Sequence, residues 1–417
     1  MKREEPTEKG NMAAPARPGT LTGFVTAVLS LAVVYTAAAA PVPLFAIYAE
    51  ALGLGHSSLS WAAVAYFAGA IAALLMFARL SDHLGRRTVI LANLVLAAAG
   101  CLVFATLSQP FMLPAGRFLQ GLACGLASSV LAAYVVDNAP KHPAWLVAAA
   151  AGAAPMLGLA AGSLVSGALR QHGAAGGGIF YALMAVMACC ALVLPLCPAT
   201  VTAKPGALRA LAPRIGVPKP ERPLMPAACA VFVGTWSIGG FYLPFSASMA
   251  QELLHTSSTL VAGAVFAGMM TPYLAGGSIA GRMEPARAQL FGMTAFALCM
   301  VCVVLALGAG STVLFLAATM LAGTAWGTAF TGTLRRILPL VTGGERAGTL
   351  SAVFLISYSG AALPNMLVGR IAQGAGLLDV AAGYAGLAAF CALCVTACAL
   401  AGSRRAAQAE RHAGEPA

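Results

Sequence analysis

Arg117 is the only charged residue well inside a long uncharged stretch of this chain. It sits in Leu113-Pro114-Ala115-Gly116-Arg117-Phe118-Leu119-Gln120-Gly121. An arginine does not lose its proton in a protein, so in an apolar setting it must reach polar surroundings or find a partner. Glu50 lies toward the same end of its own run and is expected to approach Arg117 when that face closes. Tyr35, Gln120 or a backbone carbonyl of a proline-bent first helix are the alternatives. A second cluster, Arg79-Leu80-Ser81-Asp82-His83-Leu84-Gly85-Arg86-Arg87, sets one carboxylate among three guanidiniums, with Gly85 available for a positive φ at a reversal.

The acids Glu50, Asp82, Asp137, Glu252, Glu284, Glu345 and Asp379 all fall at the ends of apolar runs or between them. Proton coupling through a buried carboxylate therefore has no support, and any coupled proton is expected on Glu50 or Asp137, near the mouth of a cavity. The residues expected to line such a cavity are Tyr35, Thr36, Ser128, Ser129, Trp236, Tyr242, Trp326 and Thr331, which suit an uncharged or amphipathic organic solute. Cys391, Cys394 and Cys398 share a helical face, but small apolar packing explains them better than metal binding. No metal or cofactor is expected. An enzyme is disfavoured because no nucleophile, base and partner occur together.

These residues are positioned by an unusual composition. The chain is 60% hydrophobic and 9% charged, with a mean hydropathy of +0.85, whereas a soluble domain carries about 25% charged residues. Uncharged runs from Leu21–Ala49 through Val380–Ser403 are mostly long enough for a span, which needs about 20 apolar residues. One, Ala288–Leu334, is long enough for two and divides at Gly308-Ala309-Gly310-Ser311, so the reading is twelve helices. With the amino terminus inside, every Lys and Arg except Arg117, Arg170 and Arg370 falls on the inner side. That asymmetry accounts for the net charge of +11 without nucleic-acid binding. No cleavable leader is read in the polar first residues, so both termini are expected in the cytoplasm of a cell whose inner membrane holds the chain.

Shifting the chain by about 200 residues makes its halves echo each other. Leu119 to Gly125 matches Leu321 to Gly327, and Glu50 with His56-Ser57-Ser58 matches Glu252 with His255-Thr256-Ser257-Ser258. Asp82 matches Glu284, and Arg170 matches Arg370. The organisation expected is a cytoplasmic tail 1–20, a six-helix bundle 21–198, a basic, proline-rich cytoplasmic linker 199–223, a second bundle 224–402 and a cytoplasmic tail 403–417. The fold class is all-α integral membrane. Pro41, Pro43 and Pro155 should bend the helices that hold them.

The Asp82 cluster resembles the loop signature of the major facilitator superfamily, G-x-L-x-D-x-x-G-R-R/K. Leu80, Asp82, Gly85, Arg86 and Arg87 match it, and Ala78 stands where the signature has glycine. The resemblance implies a latch between the halves on the inner side, with Asp82 facing the start of helix 11 near Arg346, Gly348 and Thr349. Leu113 to Gly121 resembles L-x-x-x-R-x-x-Q-G of proton-linked members, which implies coupling or substrate roles for Arg117 and Gln120. Pro155 with Gly158, and Pro41-Val42-Pro43, are similar to fragments of twelve-helix drug exporters. The resemblance implies a monomeric alternating-access transporter that exports small organic compounds in exchange for protons. A proton-linked or passive importer is the alternative, and a non-transporting membrane receptor is the rival of another class.

Overall fold

The computed structural model describes residues 20–77, 79–139, 144–173, 177–206, 211, 216, 219–341, 346–371 and 376–413. The expected amino-terminal tail, apart from Thr20, lies outside them, as do Glu345 and the side chain of Arg346. Among the described residues every regular element is helical. Among them, twelve helices are long and apolar enough to cross a membrane. They are α1 (Leu21–Leu52), α2 (His56–Met76), α3 (Arg86–Ala105), α4 (Met112–Asp137), α5 (Ala144–Gln171) and α6 (Gly178–Leu196) in the first half. The second half holds α7 (Glu221–Leu253), α8 (Thr259–Gly281), α9 (Pro285–Gly308), α10 (Thr312–Leu340), α11 (Arg346–Ile371) and α12 (Leu377–Ala413). Large apolar side chains such as Leu192, Leu196, Leu305, Val313 and Leu393 point outward, the arrangement a lipid solvent favours.

Helix starts follow local chemistry. The Gly23 and Val261 amides donate to the Thr20 and Ser258 hydroxyls at the starts of α1 and α8. At α9 the Glu284 carboxylate accepts from the Ala286 and Arg287 amides. Those amides hold its pKa below the usual carboxylate range. Proline decides where helices break. The straight part of α1 ends at Ala39 and a single tight turn spans Val42–Leu44 before the helix resumes at Phe45. α8 breaks at Thr271-Pro272, whereas α5 runs through Pro155 as one helix.

The duplication is visible as packing. α2 lies on α4 as α8 lies on α10, α1 on α5 as α7 on α11, and α3 on α4 as α9 on α10. A Cβ on Gly121 would run into the Tyr66 carbonyl, and one on Gly125 would meet Ala70; at the equivalent crossing, Gly323 faces Met269 and Gly327 faces Tyr273. In lipid, apolar burial does not drive helices together, so close approach of backbones must, and these glycines permit it. The halves meet through α5 against α8 and α2 against α11.

Candidate functional site

The break in α1 builds the first site. Pro41 lacks the N–H that would bond Ala37, so the Ala37 carbonyl is free, and Gln120 Nε2 donates to it at 2.8 Å. Arg117 Nη1 donates to the Ala38 carbonyl at 2.6 Å and to Gln120 Oε1 at 2.8 Å. The guanidinium is 0% exposed and lies 4.5 Å from the Tyr66 ring centroid and 5.6 Å from that of Phe45. Both rings present their faces to the cation, an attraction that strengthens as water is excluded. Nε and Nη2 have no hydrogen-bond partner. Arg117 has no acidic partner among the described residues; Glu50 is exposed at the far end of α1. Of the alternatives, Gln120 and the α1 carbonyl are the partners, while the Tyr35 hydroxyl donates to the Cys124 carbonyl at 3.3 Å.

The second site caps one face of the first half. Gly85 takes φ of 85°, and the reversal brings Arg86 between Asp82, 2.7 Å from Nη1, and Asp137, 3.2 Å from Nε. Arg86 also donates to Ser81 Oγ, and Thr200 donates to Asp137 at 2.9 Å. The start of the linker is held against this loop, with the Lys204 amide on the His83 carbonyl. Arg87 lies alongside with Nε unpaired. Thr349, at the start of α11, donates to the buried Glu221. Asp82 and Asp137 are thus engaged by their own half and, through Thr200, by the start of the linker.

Hydrogen bonds cross between the halves at the opposite face. His56 Nε2 lies 2.8 Å from Glu252 Oε1, Ser57 donates to the Gly369 carbonyl at 2.5 Å, and Thr259 donates to the Gly167 carbonyl at 2.7 Å. One layer deeper, Ser163 donates to the Gly263 carbonyl. The repeat puts His56 and Glu252 at one rim. The bond between them is not legible there, since the repeat aligns Glu252 with Glu50 and says nothing of pairing across halves.

Between the two faces lies an aromatic cluster. Trp236 packs edge-on against Trp326 at 5.8 Å and against Tyr358 at 5.0 Å, while Tyr273 meets Trp326 at 5.6 Å and Phe330 at 6.1 Å. Phe67 of α2 reaches Tyr358 at 6.0 Å, so the cluster joins the halves. Ser128 is half-buried and returns its hydroxyl to the Gly125 carbonyl. Tyr242, expected along a cavity, is instead fully buried between α7 and α10, its hydroxyl 2.9 Å from Thr319 Oγ1 and its ring stacked on Phe315. Sequence spacing put Tyr242 two turns from Trp236 without telling which face each helix turns inward.

The sequence profile of the Major Facilitator Superfamily matches residues 27–364. The chain belongs to the Major Facilitator Superfamily. This superfamily member shares its fold with the nucleoside transporter NupG, whose crystal structure aligns with a TM-score of 0.70 and 15% identity over 90% of this chain and 99% of that one. It is 33% identical over 141 residues to the proton myo-inositol cotransporter hmit-1.1 of Caenorhabditis elegans, which is 33% of this chain and 21% of that protein. It is 37% identical over 113 residues to solute carrier family 2, facilitated glucose transporter member 6 of Homo sapiens, which is 27% of this chain and 22% of that protein. The chain thus spans only about a fifth of the length of the curated relatives it matches. Family membership and the twelve candidate spans among its described residues make it a multi-pass membrane protein.

Proposed function

We propose that this transporter moves a small, uncharged organic solute by alternating access, as a monomer. Its Asp82 face and both termini are in the cytoplasm, and its membrane is the inner membrane of the cell. The observation that carries this reading is the cross-half bonding of His56, Ser57 and Thr259 at one face while the Arg86 ion pairs of Asp82 and Asp137 lie within the first half at the other. Such a molecule is shut on one side, and on the other no bond among the described residues links Asp82 or Asp137 to the second half. The placement of Lys and Arg supports the orientation.

Uptake or equilibration of the solute is the direction that the names of the relatives support, one being a proton cotransporter and the other a facilitated transporter. Export in exchange for protons is the second reading, favoured by the Arg117 and Gln120 pattern. Reconstitution with an internal pH dye separates them. Solute entry down its own gradient without proton movement supports equilibration, inward proton movement with solute supports uptake by cotransport, and inward proton movement during solute efflux supports exchange. A chain that moves no solute under any gradient overturns the proposal.

A further inference from the structure

The hydroxyls and amides of the second half are largely spent on their own helices. Thr235 donates to the Val231 carbonyl, Ser237 to Gly234, Thr324 to Met320, Thr333 to Ala329 and Asn365 to Ala361. Among the described residues, the buried indole N–H groups of Trp236 and Trp326 have no acceptor, although a buried donor left unpaired destabilises the fold and such groups are few in native proteins. Both indoles belong to the aromatic cluster between the halves. The rings around them are Tyr273, Phe330 and Tyr358, and no charged side chain belongs to that set. Beyond the indoles, the described buried side chains of this half keep only Ser357 Oγ, Asn365 Oδ1 and Tyr384 Oη unpaired.

Resting on the transporter reading above, we propose that Trp236 and Trp326 form the recognition element of the solute site. The solute class is a flat, uncharged heteroaromatic ring bearing carbonyl or ring-nitrogen acceptors and few hydroxyls. Indole and phenol faces stack on a planar ring, and the two N–H groups supply the donors its acceptors need. A polyol fits the same cluster badly. It brings a hydroxyl on nearly every carbon, each needing a partner once water is excluded, and a buried hydroxyl without one is strongly disfavoured. The solute class therefore differs from the sugar and inositol that the names of the sequence relatives mention.

The test uses the full chain in nanodiscs, with intrinsic tryptophan fluorescence titrated by caffeine and by 1,3-dimethyluracil, which carry acceptors and no donors, and by myo-inositol and glucose. Saturable quenching by the first two and none by the polyols is expected. Trp236→Phe and Trp326→Phe keep a ring but lose the N–H, and each should weaken binding about 5- to 10-fold. Trp61→Phe, at the exposed side of α2, should leave binding unchanged and serves as the folding control. Quenching by the polyols alone, or heteroaromatic binding indifferent to both indole substitutions, overturns the proposal. The same four compounds are followed across proteoliposomes. Transport of myo-inositol or glucose without heteroaromatic binding overturns the solute class and leaves the transporter reading standing. Indole-dependent binding with no movement of any compound upholds the recognition element and counts against transport.

Discussion

Arg117 shows how one side chain can be both affordable and consequential in a membrane. Its charge is spread over two ring faces, the Ala38 carbonyl and the Gln120 amide oxygen, and the Pro41 break exposes the neighbouring carbonyl that Gln120 takes. Arg117→Ala removes the fork and leaves Gln120 and the α1 carbonyl short of partners. It should lower stability by about 1–3 kcal/mol and transport at least tenfold, read by thermal unfolding and by solute flux in proteoliposomes. Arg117→Lys should keep the protein folded yet recover only part of the flux; full flux in Arg117→Ala would remove the role. Asp82→Asn is expected to slow transport several-fold while insertion and orientation stay normal, because the basic residues set topology. Protease mapping of the loops beside a flux assay checks it, and unchanged flux would count against the latch. That Arg117 needs a partner was legible from its type and depth. Which partner was not, because charge alone favours Glu50 over Gln120 and the carbonyls until the bend of α1 fixes which carbonyls are bare.

At the scale of helices, crossings and caps hold the fold together. Gly121 lets α4 touch the backbone of α2, so Gly121→Leu should push the pair apart and yield little monodisperse protein, whereas Gly152→Leu, with open space around its Cα, should be tolerated. Size-exclusion profiles in detergent compare them directly. At α9, the Glu284 carboxylate is held below its ordinary pKa by two amides, so its contribution is present above the unfolded value and fades as pH falls through the folded one. Glu284→Ala should therefore be less stable than the unmodified chain at neutral pH. The difference in melting temperature should close in acid; a gap that persists there would place the effect elsewhere. The twelve apolar spans and the glycine pairs at the two equivalent crossings were readable from composition and spacing, because in lipid both follow from hydrogen-bond satisfaction and close packing. The inward face of α7 was not readable: a helix apolar all round gives no stripe to orient it, so Tyr242 and Trp236 could not be told apart.

For the whole molecule, the proposed cycle rocks two halves about the aromatic cluster, with the His56 face closed while the described ion pairs of Asp82 and Asp137 stay within the first half. The duplication announced two halves. The cross-half bonds of His56, Ser57 and Thr259 did not show in the sequence, since each joins residues that neither repeat nor neighbour one another. An exposed pair such as His56 with Glu252 contributes about 0.2–1 kcal/mol, so Glu252→Gln should shift the balance of states no more than about fivefold, toward opening at that face. The most direct test measures spin-label distances in nanodiscs, in a chain freed of native cysteine, with Ala51→Cys and Gln251→Cys at one face and Leu84→Cys and Arg282→Cys at the other. Two populations are expected in each pair, related reciprocally, with Glu252→Gln lengthening the Ala51 to Gln251 distance and shortening the Leu84 to Arg282 distance. A single fixed distance at both faces, or two faces that open together, would contradict it.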